Sequence, residues 1–288
     1  MNINQFRRRV EQITIWKKYD QRAPHKPLLI LYALGKLHTY KQTAIPFSEA
    51  DSDLKALLIE FGPPRKSQHP EQPFVRLPND GIWTLSTSVD YKSTNYSKVR
   101  RELLDNQITG GFTPEVQALL EKDKNLIFDT AQQILEEHFP TTLHDDLLEA
   151  VSLNKAYKLS RKRRDPEFRK RILEAYEERC AICGFNAKIH NRLVGIEAAH
   201  IKWHQFNGPD VEENGLALCS LHHKLFDQGI MTVTNEHLIL VSSHATGFGT
   251  FEDLVTSFHM HKARNPVSSL YQPSQDYTDW HIREVYKG

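Results

Sequence analysis

Hydrophobic residues recur at helical spacing through most of the first half of the chain. From residue 3 to residue 19, apolar side chains alternate with Arg and Lys, which predicts an amphipathic helix with a basic, solvated face. A continuous apolar run over residues 28–34 predicts a buried helix with Pro27 in its first turn. The same periodicity predicts further helices over residues 47–61, 97–105 and 115–139. We therefore expect this part of the chain to be mainly helical.

A proline-rich segment interrupts the helical pattern over residues 62–73, where we expect no regular structure. Residues 74–77 and 82–85 then flank Asp80-Gly81, a pair typical of a hairpin turn. Cationic and hydrogen-bonding side chains are concentrated in this part of the chain: Arg65, Lys66, Ser67, Gln68, His69 and Arg76. Such segments often only connect elements, but this concentration favours a recognition loop held by a rigid hairpin.

His25 and Lys26 lie at the N-terminus of the predicted buried helix. Helix N-termini bind anions, because their first backbone N–H groups have no partner within the helix. The two side chains could equally serve only to cap and solvate the helix start. These residues alone leave both interpretations open.

The pattern changes after Pro140. Residues 141–152 are acidic and at most briefly helical, whereas residues 155–171 are strongly basic. The basic run is either ordinary solvated surface or a clamp for DNA phosphates. We therefore predict three parts: a first domain over residues 1–145, a basic linker over residues 146–165 and a second domain over residues 166–288.

Composition and charge narrow the class of protein. Of the 288 residues, 39% are hydrophobic and 25% are charged. No apolar run approaches the about 20 residues of a membrane-spanning helix, so no membrane partner is expected. The net charge of +1 excludes a uniformly basic nucleic-acid-binding protein, so any such surface must be local. The N-terminus lacks the apolar segment of a signal peptide, and the expected location is cytoplasmic.

All three cysteines of the chain lie in two short motifs of the second domain. Cys180 and Cys183 form one pair, and Cys219 is followed by His222. Three thiols make a poor disulfide framework, whereas three thiolates and an imidazole suit a closed tetrahedral zinc site. We therefore predict a structural Zn²⁺ bound by these four residues.

His223 directly follows the last of these ligands on a predicted helix. Adjacent helical residues point about 100° apart, so His223 is expected to serve a different site from His222. Asp227 shares the helix face of His223, and the pair can hold one divalent ion. His200, on a predicted strand, is a candidate general base, and Asn214 can fix its orientation by a side-chain hydrogen bond.

The ordered set His200, Asn214 and His223, between two halves of a zinc site, resembles the HNH (ββα-metal) endonucleases. The resemblance covers residues 180–229 and includes Glu-Ala-Ala-His-Ile, Asn-Gly-Leu-x-Leu-Cys and His-His-x-x-Phe-Asp. It implies that His200 is the general base that activates water and that Asn214 orients His200. It also implies that His223 binds a divalent ion, Mg²⁺ or Mn²⁺, at the scissile phosphate.

One position departs from this family's pattern. Many of its members carry Asp or His directly before the general base, where this chain has Ala199. Glu197 is not expected to replace that ligand, because residues 197 and 200 of a regular strand face opposite sides. The second protein ligand of the divalent ion is therefore predicted to be Asp227.

The first domain carries three further motifs. They are His25-Lys26-Pro27-Leu-Leu, Gln68-His69-Pro70-Glu71-x-Pro73-Phe74 and Asn79-Asp80-Gly81-Ile82-Trp83. These motifs resemble the sulfur-binding domain of phosphorothioation-dependent restriction endonucleases, which also carry a C-terminal HNH domain. The resemblance spans most of residues 1–140 and implies binding to double-stranded DNA that carries a phosphorothioate.

A phosphorothioate keeps the phosphate charge but exchanges one oxygen for a larger, more weakly hydrated sulfur. An apolar pocket at Pro73 would prefer sulfur, because burying an oxygen without a hydrogen bond costs more. Gln72 precedes this proline, where the family often has an aromatic residue. Arg22, His25 and Lys26 are expected to hold the charge. Candidates for contacts to base edges are Ser67, Gln68 and His69.

We therefore predict an α+β protein, with an N-terminal mixed α/β DNA-recognition domain that contains a small hairpin and a C-terminal ββα-metal domain with a structural zinc. The hypothesis is a restriction endonuclease that recognises phosphorothioate-modified DNA and cleaves it nearby. Cutting both strands with a single HNH site favours a homodimer.

Two alternatives remain open. The first is an HNH nuclease directed to methylated or otherwise modified bases, which would need an aromatic cage, and residues 70–76 offer only Phe74. The second is a DNA-binding regulator that does not cleave.

Overall fold

The computed structural model describes residues 1–16, 20–90, 92, 95–153 and 166–288. The chain divides into two compact units, Met1–Leu159 and Ser160–Gly288, and each is described by itself. The division falls inside the predicted linker over residues 146–165. Residues 154–165 lie outside the described residues. They include most of the predicted linker and most of the predicted basic run over residues 155–171. None of the helices described is both long and apolar enough to cross a lipid bilayer.

The described part of the first unit is mainly helical. Its helices are α1 (Ile3–Glu11), α2 (His25–Tyr40), α3 (Phe47–Phe61), α4 (Glu71–Arg76), α5 (Tyr96–Asp105), α6 (Pro114–Lys122), α7 (Lys124–His138) and α8 (His144–Ala150). An antiparallel sheet of strand order β1-β3-β2 is formed by β1 (Ile45–Pro46), β2 (Trp83–Leu85) and β3 (Thr109–Phe112).

Helix α2 lies at the centre of the first unit. Its side chains are buried almost continuously from Pro27 to Leu37, as the apolar run predicted. Helices α3, α4 and α7 pack against it. Lys41 ends the helix in the left-handed conformation, with a φ of 56°. The core of the unit therefore forms around one helix that is hydrophobic on all sides.

Two predicted helices are longer than the helices in the structure. Helix α1 ends at Glu11 because Ile13 turns into the core and the Thr14 amide donates to Asp80 Oδ1 over 2.8 Å. The predicted helix over residues 115–139 divides into α6 and α7 at Asp123. The Asp123 carboxylate accepts a hydrogen bond from the Asn125 amide and so caps α7.

The predicted hairpin is wrong. Residues 74–77 belong to α4 and the 3₁₀ helix after it, and β2 pairs with β3 over a long connection. Pro73 is compatible with α4 because it lies in the first turn, where its missing N–H is not needed. Asp80 ends the 3₁₀ helix and Gly81, with a φ of 71°, caps it. The Asp-Gly pair therefore terminates a helix instead of joining two strands.

The second unit combines helices with pairs of strands. Its helices are α9 (Pro166–Ala175), α10 (Ser220–Asp227), α11 (Phe251–Leu254) and α12 (Gln275–Glu284). Its strands are β4 (Ala187–Ile189), β5 (Arg192–Val194), β6 (Ile196–His200), β7 (Gly215–Cys219), β8 (Met231–Val233) and β9 (Ile239–Val241). The antiparallel pairs are β4 with β5, β6 with β7 and β8 with β9. The predicted α+β class is confirmed.

The β6–β7 pair positions the candidate site. Gly215, opposite His200, faces α9, and an added Cβ there would lie 2.1 Å from Ile172 of that helix. Glu197 faces α10, where it contacts His223. Helices α9 and α10 therefore cover opposite faces of the pair, since successive residues of a strand alternate in direction.

We expect Gly35→Ala to destabilise the first unit. Alanine in a helix interior is favoured over glycine by about 1 kcal/mol. A Cβ at Gly35, however, would lie 1.8 Å from the carbonyl oxygen of Val151. Overpacking against a backbone atom costs about 3 kcal/mol, so the free energy of unfolding should fall by about 2 kcal/mol. Urea unfolding followed by circular dichroism measures this change.

The matched control is Lys55→Ala, on an exposed position of α3. It should change the free energy of unfolding by less than about 0.5 kcal/mol. If Gly35→Ala is as stable as this control, the close approach of α2 to the end of α8 is wrong.

Candidate functional site

Three thiols and one imidazole converge in the second unit. Cys180 and Cys183 follow α9, Cys219 ends β7 and His222 lies in the first turn of α10. Their candidate ligand atoms all lie within 4.8 Å of one another. The structure thus brings together all four residues of the predicted zinc site.

The distances fit a tetrahedral metal ion. Sulfur ligands of tetrahedral zinc lie about 3.8 Å apart, and a sulfur and a nitrogen ligand about 3.6 Å apart. Cys183 Sγ lies 4.0 Å from Cys219 Sγ, and His222 Nδ1 lies 3.6 Å from Cys180 Sγ and 3.2 Å from Cys219 Sγ. His222 Nε2 donates to the Leu254 carbonyl over 2.9 Å, which directs Nδ1 towards the thiols.

The pKa values of the thiols and of His222 in this cluster depend on one another. Hydrogen bonds from Cys183 and Cys219 lower the pKa of the Cys180 thiol well below its ordinary value. Burial alone would lower the pKa of His222, but hydrogen bonds with Cys180 and Cys183 outweigh it and raise the pKa to about 10. Hydrogen bonds with Cys180 and Cys183 in turn raise the pKa of the Cys219 thiol above its ordinary value. Without an ion the cluster therefore keeps some of its protons, and a metal ion would displace them as it binds.

His223 forms a second cluster with two carboxylates. Its Nδ1 lies 2.6 Å from Glu197 Oε2 of β6, and its Nε2 lies 3.2 Å from Asp227 Oδ2, one turn along α10. Ser220 Oγ donates to the other oxygen of Glu197 over 3.1 Å. His223 and Asp227 are buried, whereas the Glu197 side chain is 46% exposed.

These two carboxylates raise the pKa of His223. Burial of the ring by itself lowers the pKa, but the charge and hydrogen bond of Asp227, and then those of Glu197, raise it to about 9. At neutral pH and without a metal ion, the ring is therefore an imidazolium that donates to both carboxylates. A divalent ion could take the place of one of these protons.

The two contacts of His223 differ in length. Neighbouring ligands of an octahedral Mg²⁺ are about 3.0 Å apart. The 3.2 Å between Nε2 and Asp227 fits that separation. The 2.6 Å between Nδ1 and Glu197 is shorter and fits a charge-assisted hydrogen bond. Both carboxylates thus lie within reach of the His223 ring, and the contact with Glu197 is the tighter hydrogen bond.

Glu197, which was not expected to replace the ligand missing at Ala199, contacts His223. Residues 197 and 200 do face opposite sides of β6, and His223 lies on the Glu197 side. Ala199 shares that face and offers no ligand atom.

His200 lies on the other face, beside α9. Its Nε2 is 2.7 Å from Asp210 Oδ1, and its ring stacks on Phe168 with a centroid distance of 4.2 Å and an interplanar angle of 15°. Its side chain is 12% exposed. Sequence reasoning missed both partners, because each comes from a segment that only the fold brings to His200.

Asn214 is buried and does not hydrogen-bond to His200 directly. Its Oδ1 accepts from the Lys202 amide over 2.8 Å, and its Nδ2 donates to the carbonyls of Lys202 and Pro209. Its side chain therefore holds the loop between β6 and β7. The prediction of a direct hydrogen bond from Asn214 to the general base is wrong.

Residues predicted to contact DNA converge at the start of α2. The pKa of His25 falls to about 4 through burial, then through the charges of His69 and Arg65. These electrostatic contributions indicate that the proline-rich loop lies beside the helix N-terminus. His25 is consequently neutral at pH 7 and acts there as a polar group, not as a cation.

His69 is held by three neighbours. Its ring nitrogens lie 2.9 Å from Ser67 Oγ and 2.9 Å from Glu71 Oε1, and its ring meets Tyr96 edge-on at 4.7 Å. Burial raises the pKa of the Glu71 carboxyl. Tyr96, at the start of α5, was missed by sequence reasoning because it lies far along the chain.

Two of the predicted cations have internal partners. Lys26 Nζ lies 2.5 Å from Asp80 Oδ2, and both side chains are largely buried. Arg22 is 3% exposed and donates to the Phe61 carbonyl over 2.8 Å. The structure therefore pairs the charge of Lys26 within the unit.

The other predicted DNA contacts differ in exposure. Arg65, Lys66 and Ser67 are exposed, and Pro73 is buried in α4. The partly exposed residues are Gln68, Gln72 and Arg76. The exposed cations of this region thus belong to the proline-rich loop.

The raised pKa of His223 predicts a pH dependence of stability in protein without Mg²⁺ or Mn²⁺. A His whose folded pKa is above its unfolded pKa of about 6.5 stabilises fully below that pH. This stabilisation is lost as the pH rises through about 9. The contribution is on the order of 3 kcal/mol.

The measurement is urea unfolding of the wild type and of His223→Gln from pH 6 to pH 10. The contribution is the difference between their free energies of unfolding at each pH. The difference should shrink as the pH rises. A constant difference across this range would contradict the imidazolium between two carboxylates.

Comparison with known proteins gives two family matches. The model of the ScoMcrA-like DNA sulfur-binding domain matches residues 3–156, more than half of the chain. The model of an HNH endonuclease family matches residues 180–234. No curated protein matches this chain.

Several solved structures are similar to this chain. One is the sulfur-binding domain of SprMcrA complexed with phosphorothioated DNA: 22% identity, 54% of this chain and 96% of that chain covered, TM-score 0.47. The corresponding domain of ScoMcrA, also complexed with phosphorothioated DNA, is 20% identical, with 52% and 96% covered and a TM-score of 0.43. The modification-dependent TagI restriction endonuclease is 21% identical, with 42% and 38% covered and a TM-score of 0.31.

The first match spans most of the first unit, and the second spans the Cys₃His cluster, β6, β7 and α10. The chain therefore belongs to the ScoMcrA-like DNA sulfur-binding domain family and carries an HNH endonuclease domain.

Proposed function

We propose that this protein is a restriction endonuclease that recognises phosphorothioate-modified DNA with its first unit and hydrolyses phosphodiester bonds nearby with its second. The observation that carries the proposal is the presence of both family matches, residues 3–156 and 180–234, in one chain. The polar residues described in each unit suit the corresponding chemistry.

Recognition of the modification is assigned to the proline-rich loop and the start of α2. A phosphorothioate sulfur is weakly hydrated and suits a site with an apolar wall. Pro73 is the candidate, and because it is buried in α4 it would form the floor of such a site. His25 offers a neutral ring beside this loop. Arg65 and Lys66 are exposed and supply positive charge, a role for which Lys26 is less suited because Asp80 pairs with it.

Cleavage is assigned to His200, Asn214, His223 and Asp227. His200 takes a proton from water while the water oxygen forms a bond to phosphorus, and the bond from phosphorus to the 3′ oxygen breaks. His223 and Asp227 would hold Mg²⁺ or Mn²⁺, which when bound supplies positive charge for the leaving 3′ oxygen. Asn214 holds the loop beside the general base.

The two faces of the β6–β7 pair suit this division of roles. In-line displacement at phosphorus needs the attacking and leaving oxygens on opposite sides. His200 lies on the α9 face, and His223 lies on the α10 face. We propose that the scissile phosphate meets the end of β6, with the general base on one side and the leaving oxygen on the other.

The Cys₃His cluster is assigned to a structural Zn²⁺. Its donor set and ligand distances suit zinc, and all four positions are filled by protein, which suits a structural instead of a catalytic ion. The ion would join α9, β7 and α10, which together support both halves of the cleavage site.

Plasmids of one sequence test the function directly. Unmodified, base-methylated and phosphorothioated forms are incubated with the protein and Mg²⁺ or Mn²⁺, and both binding and strand cleavage are scored. We expect cleavage of the phosphorothioated plasmid only. Cleavage of the methylated plasmid would favour a reader of modified bases, and binding without cleavage under every condition would favour a regulator.

His200→Ala should abolish cleavage and leave DNA binding intact, because the general base is lost while the first unit is unchanged. The cleavage rate should fall by at least about 10²-fold. His261→Ala, an exposed histidine of the same unit, is the control and should cleave at the wild-type rate. Wild-type cleavage by His200→Ala would remove the catalytic assignment.

Cys180→Ser should release zinc and destabilise the second unit, since a structural zinc contributes folding free energy. Elemental analysis and thermal melting measure these two effects. The exposed Ser243→Ala serves as the control. An unchanged melting profile, together with no zinc in the wild type, would refute the zinc assignment.

A further inference from the structure

We infer that Asp210 is the positioning residue for His200 and that Asn214 acts on His200 through Asp210. The inference deepens the proposed cleavage mechanism and rests on it. Asp210 itself lies outside the HNH motifs that include His200, Asn214 and His223.

The contact between Asp210 and His200 defines the state of the ring. A carboxylate only accepts hydrogen bonds, so Nε2 of His200 must carry the proton that it donates to Asp210 Oδ1 over 2.7 Å. In the neutral ring the lone pair is then on Nδ1. Asp210 therefore selects the tautomer and makes Nδ1 the atom that takes the proton from water.

The ring of His200 is held in two directions. Asp210 fixes its edge, and Phe168 of α9 lies against its face at 4.2 Å. A flat contact of this kind prevents rotation of the ring out of its plane. Orientation and tautomer thus come from two different segments, both outside β6.

Asp210 is held in turn by the loop between β6 and β7. Asn214 donates to the carbonyl of Pro209, directly before Asp210, and closes the loop on Lys202 with two more hydrogen bonds. Gly208 permits the closure, since a Cβ there would lie 1.8 Å from the Lys202 carbonyl. The Asn214 side chain therefore acts on the general base indirectly. It fixes the loop, and the loop holds Asp210 against His200.

Helix α9 secures the same loop from its other side. Arg171 donates from its guanidinium to the Asp210 carbonyl over 2.7 Å, and its Nε lies 2.9 Å from Glu212. Phe168 lies three residues earlier on α9. One helix thus holds both the carboxylate loop and the stacking face.

The charged groups near His200 include Asp210, Arg171, Glu212 and His204, whose ring centroid lies 6.2 Å away. Arg169, also on α9, donates to the Ile196 carbonyl. Among these groups, Asp210 is the one that hydrogen-bonds to the His200 ring. Its negative charge stabilises the imidazolium that forms when His200 takes the proton.

The decisive variant is Asp210→Asn, with Glu213→Gln as the matched control. Both residues lie in the same loop, but Asp210 contacts His200 whereas Glu213 is exposed. Cleavage of phosphorothioated plasmid is measured from pH 5 to pH 9. Asp210→Asn should lower kcat at least about tenfold, leave KM unchanged and move the acid limb of the profile to lower pH. Glu213→Gln should keep the wild-type profile.

A double-mutant cycle tests the relay through the loop. If Asn214 acts through Asp210, the loss of kcat in Asp210→Asn combined with Asn214→Ala should be clearly smaller than the product of the two single losses. Fully multiplicative losses would overturn the relay. An unchanged pH profile in Asp210→Asn would overturn the positioning role itself.

The tautomer of His200 gives a measurement that does not depend on activity. In the wild-type protein at high pH, ¹⁵N chemical shifts of the ring should report a proton on Nε2, and Asp210→Asn should increase the fraction protonated on Nδ1. A wild-type ring protonated on Nδ1 would overturn the inference even if Asp210→Asn failed to fold. If the wild type cuts no DNA but shows the Nε2 tautomer, the proposed function fails and the contact between Asp210 and His200 stands.

Discussion

The antiparallel pairing of β6 with β7 is the constraint on which the second unit depends. Its register sets His200 opposite Gly215 and Glu197 opposite Leu218, so that these two polar residues face different helices. The same pairing ends at Cys219, whose thiol belongs to the Cys₃His cluster. Helix α10 begins directly after this residue. A shift of one residue would exchange the two faces and remove both polar clusters at once.

In the first unit, several polar side chains near the start of α2 form contacts within the protein. Lys26 is paired with Asp80, and His69 links Ser67 to Glu71. Such pairing fixes the shape of a loop more than it contributes free positive charge. A surface of this kind would discriminate by shape and hydration, which is consistent with a ligand that differs from ordinary DNA by one atom.

Much of this organisation could be predicted from local sequence. The four residues of the Cys₃His cluster were recognised as a group because motif spacing is a local property. Helix α3 was predicted with its observed bounds, Phe47–Phe61, because its periodicity is clear. The hairpin was predicted wrongly because Asp80-Gly81 suits a helix cap as well as a strand turn. A local pattern therefore shows that a turn or cap residue is present, but not which kind of turn or cap it forms.

The partners of His200 and His223 could not be predicted in the same way. Glu197 meets His223 because α10 packs on one face of β6, and Asp210 meets His200 because a loop closes on Lys202. Both contacts depend on tertiary packing, for which a single sequence carries no periodic signal. The role of Asn214 in holding the loop likewise depends on where its three hydrogen bonds go, which the sequence does not indicate.

The hydrogen bond from His222 to the Leu254 carbonyl has a consequence for the lifetime of the protein. Helix α11 has only four residues, and the chain before it is exposed, with Phe248 wholly in solvent. A helix this short is not stable alone, so its end relies on external anchors such as the imidazole of His222. Release of this imidazole would open the segment to proteases, so that the integrity of the Cys₃His cluster would limit how long the second unit survives.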